Sequence, residues 1–389
     1  MQSIYLERDE DRRLRRGHPW VYRNEIDVER SALDSVEPGA AACVCDARGV
    51  PVGCGYLSPT SRIAVRLLVR GPTLPDDLIE RRLESALAWR ERLFREPFYR
   101  WVFAEGDALP GLVIDRYGDA CVVQTATAGM ERALPTIIAA IDKLAAPATL
   151  VVKNDATTRK SEALPTYVTL ERGDPEVLVP ERGVAFSTSL VDGQKTGWFF
   201  DQRDNRARFP ELLDGATVLD LYSYVGAWGV LAATAGAAAV TCVDSSAWAV
   251  ERARANAERN GVAKRVTALR SDVQAHLAED TATYDRVVLD PPSFFRRKQD
   301  EKRATELYRR LNRAAIERVS PGGLFVTCSC SALLDEDAHL SIVRSAGRQA
   351  RRHLTLVGRG TAPPDHPQHP FLPESAYLKC AFVRVDGAV

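Results

Sequence analysis

The chain has 389 residues, 45% apolar and 27% charged, with 52 basic and 52 acidic side chains that cancel at pH 7. That length exceeds the usual size of one hydrophobic core, so two or three globular domains are expected. Charge balance excludes a uniformly basic nucleic-acid binder, and any such partner must be held by local patches.

The first residues, MQSIYLERDEDRRLRRGHPW, are charged where a secretory leader needs an apolar run. Nothing approaches the roughly 18 uninterrupted apolar residues of a membrane span. The eight cysteines are scattered rather than arranged as a dense disulfide framework. A cytoplasmic protein is expected.

In residues 1–70, AACVCDARGVPVGCGYLS and SRIAVRLLVR place β-branched and apolar residues between Gly and Pro breaks, which predicts a small barrel or sandwich. Cys43, Cys45 and Cys54 lack a second CxxC or a His pair, so they read as buried or incidental thiols rather than a metal knuckle. His366 and His369, in the Pro-rich DHPQHP, are read the same way, and no metal is expected. RGPTLPDD breaks the pattern as a linker. Residues 71–178 read as a central α+β domain. An amphipathic helix spans 76–95 with Leu78, Ile79, Leu83, Leu87 and Leu93 at helical spacing. A strand–turn–strand follows around Tyr117-Gly118-Asp119, then a helix near 130–144 and the strand TLVVKND.

From 179 to 389, TVLDLYS, AAVTCVDSS, RVTALRSD, YDRVVLDPPS and GGLFVTCSCS alternate with helical segments, one of them ended by Asn260-Gly261. Strands separated by helices imply parallel pairing through right-handed crossovers. The predicted class is α/β, with a doubly wound, Rossmann-like domain last.

In such sheets ligands bind beyond the carboxyl ends of the strands. Three successive strands end in Asp220, Asp244 and Asp272, and a fourth in Asp290-Pro291-Pro292-Ser293. Asp244, followed by Ser245, is placed to accept hydrogen bonds from two ribose hydroxyls, and Asp272 to accept from an exocyclic amine such as that of adenine. One strand-end Asp is more often a helix cap; the run of four points to a ligand. After Asp220 the chain turns through Tyr222, Ser223 and Gly226, with Gly226 and Gly229 expected to let backbone approach that ligand. The loop offers Gly226-x-x-Gly229 rather than the G-x-G-x-x-G of a nicotinamide enzyme, which suits a cofactor without phosphates, S-adenosylmethionine. Upstream, QKTGWFFDQRDNR adds Lys195, Thr196, Gly197, Phe199, Asp201 and Arg203 to the expected cofactor site. Its Gly197, Trp198, Phe199 and Phe200 are expected to cover the cofactor, and Asp201 and Arg203 to orient its amino-acid end.

Asp-Pro-Pro-Ser followed by an aromatic suits methylation of a planar nitrogenous base, with Phe294 or Phe295 stacking on it. At the end of the fifth strand, Cys328 and Cys330 share one face by the two-residue period. Beside the DPP loop a thiol reads as a nucleophile. Carbon 5 of cytosine is too weak a nucleophile to take a methyl group unaided; a thiolate adding to carbon 6 makes it one, and Asp290 would stabilise the adduct.

These segments resemble the RlmI-like family of bacterial 23S ribosomal RNA 5-methylcytosine methyltransferases over essentially the whole chain. RGHPWVYRNEI is similar to the family's PUA opening and EGDALPGLVIDRYGD to its central hairpin. KTGWFFDQRDNR, VLDLYSYVGAWGV, VDSS, DPPSF and CSCSALLDED match its catalytic domain, and HPQHPFLPESAYLKCAF its C-terminal segment. The resemblance implies Cys330 as nucleophile, Asp290 as the base-contacting acid, 23S rRNA or a ribosomal precursor as partner, and homodimers in some relatives. Cys328 is not part of that pattern, and Ser293 stands where relatives commonly carry Lys.

RNA binding needs clustered basic groups for phosphate contacts. Arg12, Arg13, Arg15 and Arg16 form one cluster, and Arg296, Arg297 and Lys298 open another directly after DPPSFF. Two rivals stay open: methylation of an exocyclic amine such as guanine N2, which needs no thiol, and a non-catalytic RNA-binding assembly factor.

Overall fold

A computed structural model describes residues 1–33, 36–209, 213, 215–295 and 300–388, and among these no helix is long and apolar enough to cross a membrane. The chain forms two compact units, one of residues 1–177, 189–198 and 364–375, the other of 178–188, 199–363 and 376–389.

In the first unit, the strands Gln2–Tyr5, Ala41–Cys45, Pro51–Leu57, Ile63–Val69 and Trp20–Tyr22 form one sheet in that order. It encloses Ile4, Val21, Val44, Leu57 and Val65, all fully buried. Cys43, Cys45 and Cys54 are buried and pack together beside Tyr5, Val69 and Leu74. A second sheet runs in the order Tyr167–Arg172, Thr149–Asn154, Ala120–Thr125, Leu112–Tyr117, Phe98–Phe103. The amphipathic helix is Leu78–Leu93. It buries Leu78, Ile79, Leu83 and Leu87 in a cluster with Trp101, Leu112 and Ile114, but leaves Leu93, its last residue, exposed. Leu68, from the first sheet, packs in the same cluster, so the break near residue 70 divides secondary structure without dividing the compact unit.

Two excursions join this unit because their polar groups are satisfied there. Thr196, fully buried, donates its hydroxyl to Asp115 and accepts one from Tyr117. Arg90 donates to the Asp365 carbonyl at 2.9 Å, and the Arg100 amide to the Asp365 carboxylate at 3.0 Å.

The second unit is the doubly wound one. Its strands are β1 (Thr217–Leu221), β2 (Ala239–Asp244), β3 (Val266–Arg270), β4 (Tyr284–Leu289), β5 (Val319–Ser329), β6 (Arg352–Gly360) and β7 (Lys379–Ala388). The sheet order is β3-β2-β1-β4-β5-β7-β6, with β1 to β5 parallel and β7 antiparallel to both neighbours. Its helices are α1 (Ala227–Thr234), α2 (Ala247–Arg259), α3 (Val273–Glu279), α4 (Glu301–Glu317) and α5 (Glu336–Gln349). α2 ends as its sequence indicated, with Asn260 as C-cap and Gly261 at φ +71°. Order reverses on either side of β1, which puts the ligand address at the carboxyl tips of β1, β2 and β4.

One buried ion pair ties the hairpin strand Glu176–Glu181 to the short helix Arg203–Arg208. Arg206 grips Glu181 through two bonds of 2.6 Å, with side chains 2% and 5% exposed. Removing one partner leaves the other charge buried and alone. Arg206→Ala is therefore expected to cost about 3–5 kcal/mol in urea unfolding. The double change Arg206→Met with Glu181→Leu should recover most of that loss; equal losses for single and double variants would refute the account.

Candidate active site

The site begins with an acid inside the sheet. Asp220 is fully buried in β1, and its Oδ2 accepts the Gly229 N–H in the first turns of α1 at 2.9 Å. The sequence reading put this carboxylate at the strand tip; its place is one layer beneath. The chain leaves β1 through Tyr222 (φ +63°), Tyr224 (φ +50°) and Gly226 (φ +81°). Two left-handed non-glycine residues in three are a strained turn of the kind found at ligand sites. Gly229 corrects another expectation. A Cβ there would lie 2.4 Å from the Cys242 sulfur, so this glycine serves the packing of α1 on β2 rather than approach to a ligand.

Burial pushes the Asp220 carboxyl up to about 7, reinforced by Asp290 and Asp244 and opposed by the Gly229 N–H. The native protein then keeps a proton that an unfolded aspartate releases near pH 4, so it binds more protons than the unfolded chain between the two values. Stability from this group declines as pH rises from about 4 to about 7, by up to about 4 kcal/mol, and is level above. Asp220→Asn is expected to be neutral near pH 4 and stabilising at pH 8. Urea midpoints across that range check it, and a constant difference between the two proteins would refute it.

Asp244 closes β2 and is 7% exposed. Its Oδ2 accepts the Tyr224 N–H at 3.0 Å and its Oδ1 the Ser246 N–H at 2.9 Å, which leaves each oxygen a further lone pair. Ser245 is exposed, and Ser246 caps α2 through the Ala249 N–H. Around the turn, Tyr224 sits 5.3 Å from Phe199 and 5.8 Å from Trp248. Trp248 escaped the sequence reading because it lies on a helix face rather than in a motif. Asp272 is the N-cap of α3, accepting from Gln274 and Ala275 through Oδ1 alone.

Two buried polar atoms in this corner have no hydrogen-bond partner: Asp220 Oδ1 and Ser223 Oγ. Orphaned buried groups at a strained turn below an aromatic pair fit a ligand that brings its own donors. The residues suit the nucleoside part of S-adenosylmethionine.

At the tip of β4, Gln202 donates its amide to both oxygens of Asp290, at 2.9 and 3.0 Å, and Trp228 Nε1 donates at 3.3 Å. Gln202 is in turn held through its carbonyl by Asn205 at 2.7 Å. Neither Gln202 nor Trp228 was singled out from sequence, although Gln202 lies within the over-furnished QKTGWFFDQRDNR. Beyond Asp290, Phe295 is 5% exposed and packs on Tyr308 of α4, so it is core and not a stacking platform; Phe294 stays partly exposed. Ser293 bonds the Phe295 carbonyl at 3.4 Å.

The fifth strand separates its two thiols. Cys328 is fully buried, 3.3 Å from the Cys380 sulfur on β7, and burial raises it well above the ordinary thiol range. Cys330 lies one residue past the end of β5 and is partly exposed. The Tyr308 hydroxyl donates to the Pro292 carbonyl at 3.5 Å and accepts from the Ser329 hydroxyl at 3.3 Å, so one phenol links the Asp-Pro-Pro loop to the residue before Cys330.

The remaining predicted residues divide between the units. Lys195, Thr196 and Gly197 belong to the first, where Thr196 is already satisfied by Asp115 and Tyr117. Trp198 and Phe200, expected to cover a cofactor, are 1% and 2% exposed and therefore core, whereas Phe199 is partly exposed. Asp201 accepts the Tyr377 hydroxyl at 2.7 Å, and the Arg203 guanidinium lies over the Phe200 ring at 5.1 Å. Among the basic clusters, Arg13 is committed to Glu25 at 2.6 Å, Arg12 pairs with Asp9 at 2.8 Å, and Arg15 with Asp11 and Asp46. Arg16 is exposed. Arg296, Arg297 and Lys298 lie outside the described residues.

A doubly wound sheet with acids at or beneath four strand tips and a thiol beyond the fifth suits a group-transfer enzyme with a nucleoside cofactor. The model of S-adenosylmethionine-dependent methyltransferases matches residues 161–384, and that of a PUA-like domain matches residues 4–70. A protein of Alteromonas mediterranea is 35% identical over 388 residues, covering 97% of both chains. One of Shewanella denitrificans is 34% identical over 394 residues, covering 98% of this chain and 99% of its own. Both are named ribosomal RNA large subunit methyltransferase I. Among solved structures, a SAM-dependent methyltransferase candidate from Streptococcus mutans shares the fold, with a TM-score of 0.82 at 22% identity over 99% of this chain and 100% of that one. The chain belongs to the S-adenosylmethionine-dependent methyltransferase family and carries a PUA-like domain ahead of the catalytic one.

Proposed function

We propose that this protein methylates carbon 5 of a cytosine in large-subunit (23S) ribosomal RNA through a covalent adduct to Cys330. The observation that carries the reading is the partly exposed thiol of Cys330 just past β5, where the Tyr308 phenol bonds both the adjoining Ser329 and the Asp-Pro-Pro loop at Pro292. The names of the two relatives support rRNA as the substrate class.

S-adenosylmethionine supplies, when bound, an electrophilic methyl group on its sulfonium. The Cys330 thiolate adds to carbon 6 of the cytosine, and the electron pair of the 5,6 double bond becomes available at carbon 5. Asp290, held square by Gln202 and Trp228, faces the ring edge and stabilises the adduct. Once carbon 5 carries the methyl group, water takes its remaining proton, and the electron pair of that C–H bond restores the double bond and expels the thiolate. Asp244 and Ser223 are the ribose-side contacts of the cofactor, with Tyr224 and Phe199 beside its base. The exposed Arg16 and the 296–298 segment contribute phosphate contacts.

RNA carrying 5-fluorocytosine tests this directly, because fluorine at carbon 5 cannot leave as a proton does. A stable protein–RNA adduct that maps to Cys330 is expected. Methyl transfer to unmodified RNA with no trapped adduct would move the reaction to an exocyclic amine, and no transfer at all from labelled cofactor would leave an RNA-binding factor. Mass spectrometry of rRNA from a deletion strain identifies the nucleotide.

A further inference from the structure

Lys379 opens β7 in register with Ser329, the last residue of β5. Its side chain is 7% exposed, and its ammonium donates to the carbonyls of Ser331 and, at 2.8 Å, of Tyr377. Both partners are neutral, and among the described residues no carboxylate pairs with it. A buried ammonium without an anion is costly, and such a group normally neutralises itself or serves a charge brought into the site.

The surroundings indicate which charge. Burial pushes Lys379 down to about 8, while Cys330 and Asp335, the N-cap of α5, favour its charged form. From α5, His339 is pushed down to about 4 by burial and by Lys379 itself, so it is neutral at physiological pH. From α4, Tyr308, whose hydroxyl accepts that of Ser329 at 3.3 Å, is pushed up by burial and stays neutral. Within the sheet, Cys328 and Cys380 face each other and are buried. In this set the one cation is Lys379, and the one accessible thiol is Cys330.

We propose that Lys379 is the positioning residue of the nucleophile: its ammonium, pinned by the Ser331 and Tyr377 carbonyls, is the counter-charge that holds Cys330 as a thiolate. This rests on the reading of Cys330 as the nucleophile. The bond to Ser331 also fixes the backbone one residue beyond the thiol, so the same side chain sets charge and direction. Cys328, without such a cation, remains a thiol.

The test is alkylation of Cys330 by iodoacetamide in the full chain, followed by peptide mass spectrometry between about pH 5.5 and 9.5, for wild type, Lys379→Met and Lys379→Arg. Wild-type Cys330 should ionise below the ordinary thiol value of about 8.5. Lys379→Met should raise that midpoint by about one unit, slowing alkylation at pH 7 roughly tenfold, and shift the pH profile of methyl transfer upward with it. Lys379→Arg should restore most of both. An unshifted midpoint in Lys379→Met overturns the proposal. So does a wild-type midpoint at or above about 8.5, which decides the matter even if Lys379→Met fails to fold. Cys330→Ala separates the two readings. If it still methylates, the nucleophile is misassigned; if it is inactive while Lys379→Met leaves the midpoint alone, only the role of Lys379 falls.

Discussion

Cys330→Ala is expected to lower methyl transfer by at least about 10⁴-fold while cofactor and RNA binding stay within a few-fold of wild type. A covalent route depends on one sulfur, and the hydroxyls around it in the chain are unsuited: Ser329 is buried against the Tyr308 hydroxyl at 3.3 Å, Ser331 is buried and accepts the Leu333 N–H at 3.2 Å, and burial raises Tyr308 itself. Cys328→Ala is the matched control. Its sulfur packs on Cys380 inside the sheet, so the change removes a small buried group and is expected to cost stability of about 1 kcal/mol, with activity and adduct formation retained. Single-turnover transfer and trapping on 5-fluorocytosine RNA measure both. Activity in Cys330→Ala, or its loss only in Cys328→Ala, would show that the wrong thiol has been assigned.

The second large effect is at Asp244. If Asp244 holds the ribose as proposed, Asp244→Ala should weaken S-adenosylmethionine binding by about 2–4 kcal/mol, or roughly 30- to 1000-fold, the worth of a pair of charge-assisted hydrogen bonds. The carboxylate also holds the amides of Tyr224 and Ser246, so part of the loss comes from a loosened turn. Asp244→Asn separates the contributions, since it keeps one acceptor for those amides. Its affinity should fall between the other two, with a urea midpoint near wild type. Calorimetry checks this, and unchanged affinity in Asp244→Ala would remove the residue from the cofactor site.

Much of this was legible along the chain, for reasons that particular residues make plain. Periodicity located β1 to β5 and their helices because each strand is a short apolar run bounded by turn residues, and parallel pairing follows from the helix between each pair. The acids after those runs were legible because a strand's polar ending is local information. Asp272 shows the limit of such reading: its side chain caps α3, and the same residue type serves either purpose.

The doubly wound class, the small β-rich domain ahead of it, the four acids and the thiol just past the fifth strand can be read from the chain alone. Each is written in runs of ten or so residues. Only the tertiary structure decided how deep each group sits and what it touches. Asp220 is submerged because α1 packs so closely on β2 that Gly229 can carry no Cβ. Asp290 is gripped by Gln202 and Trp228, 88 and 62 residues away. The pairing of β5 with β7 brings Cys380 to Cys328 and Lys379 to Ser329, beside Cys330, across some fifty residues of chain. Register between distant strands depends on the shape and burial of whole faces rather than on any local pattern, and here it buries Cys328 against Cys380 while the strand ends one residue short of Cys330.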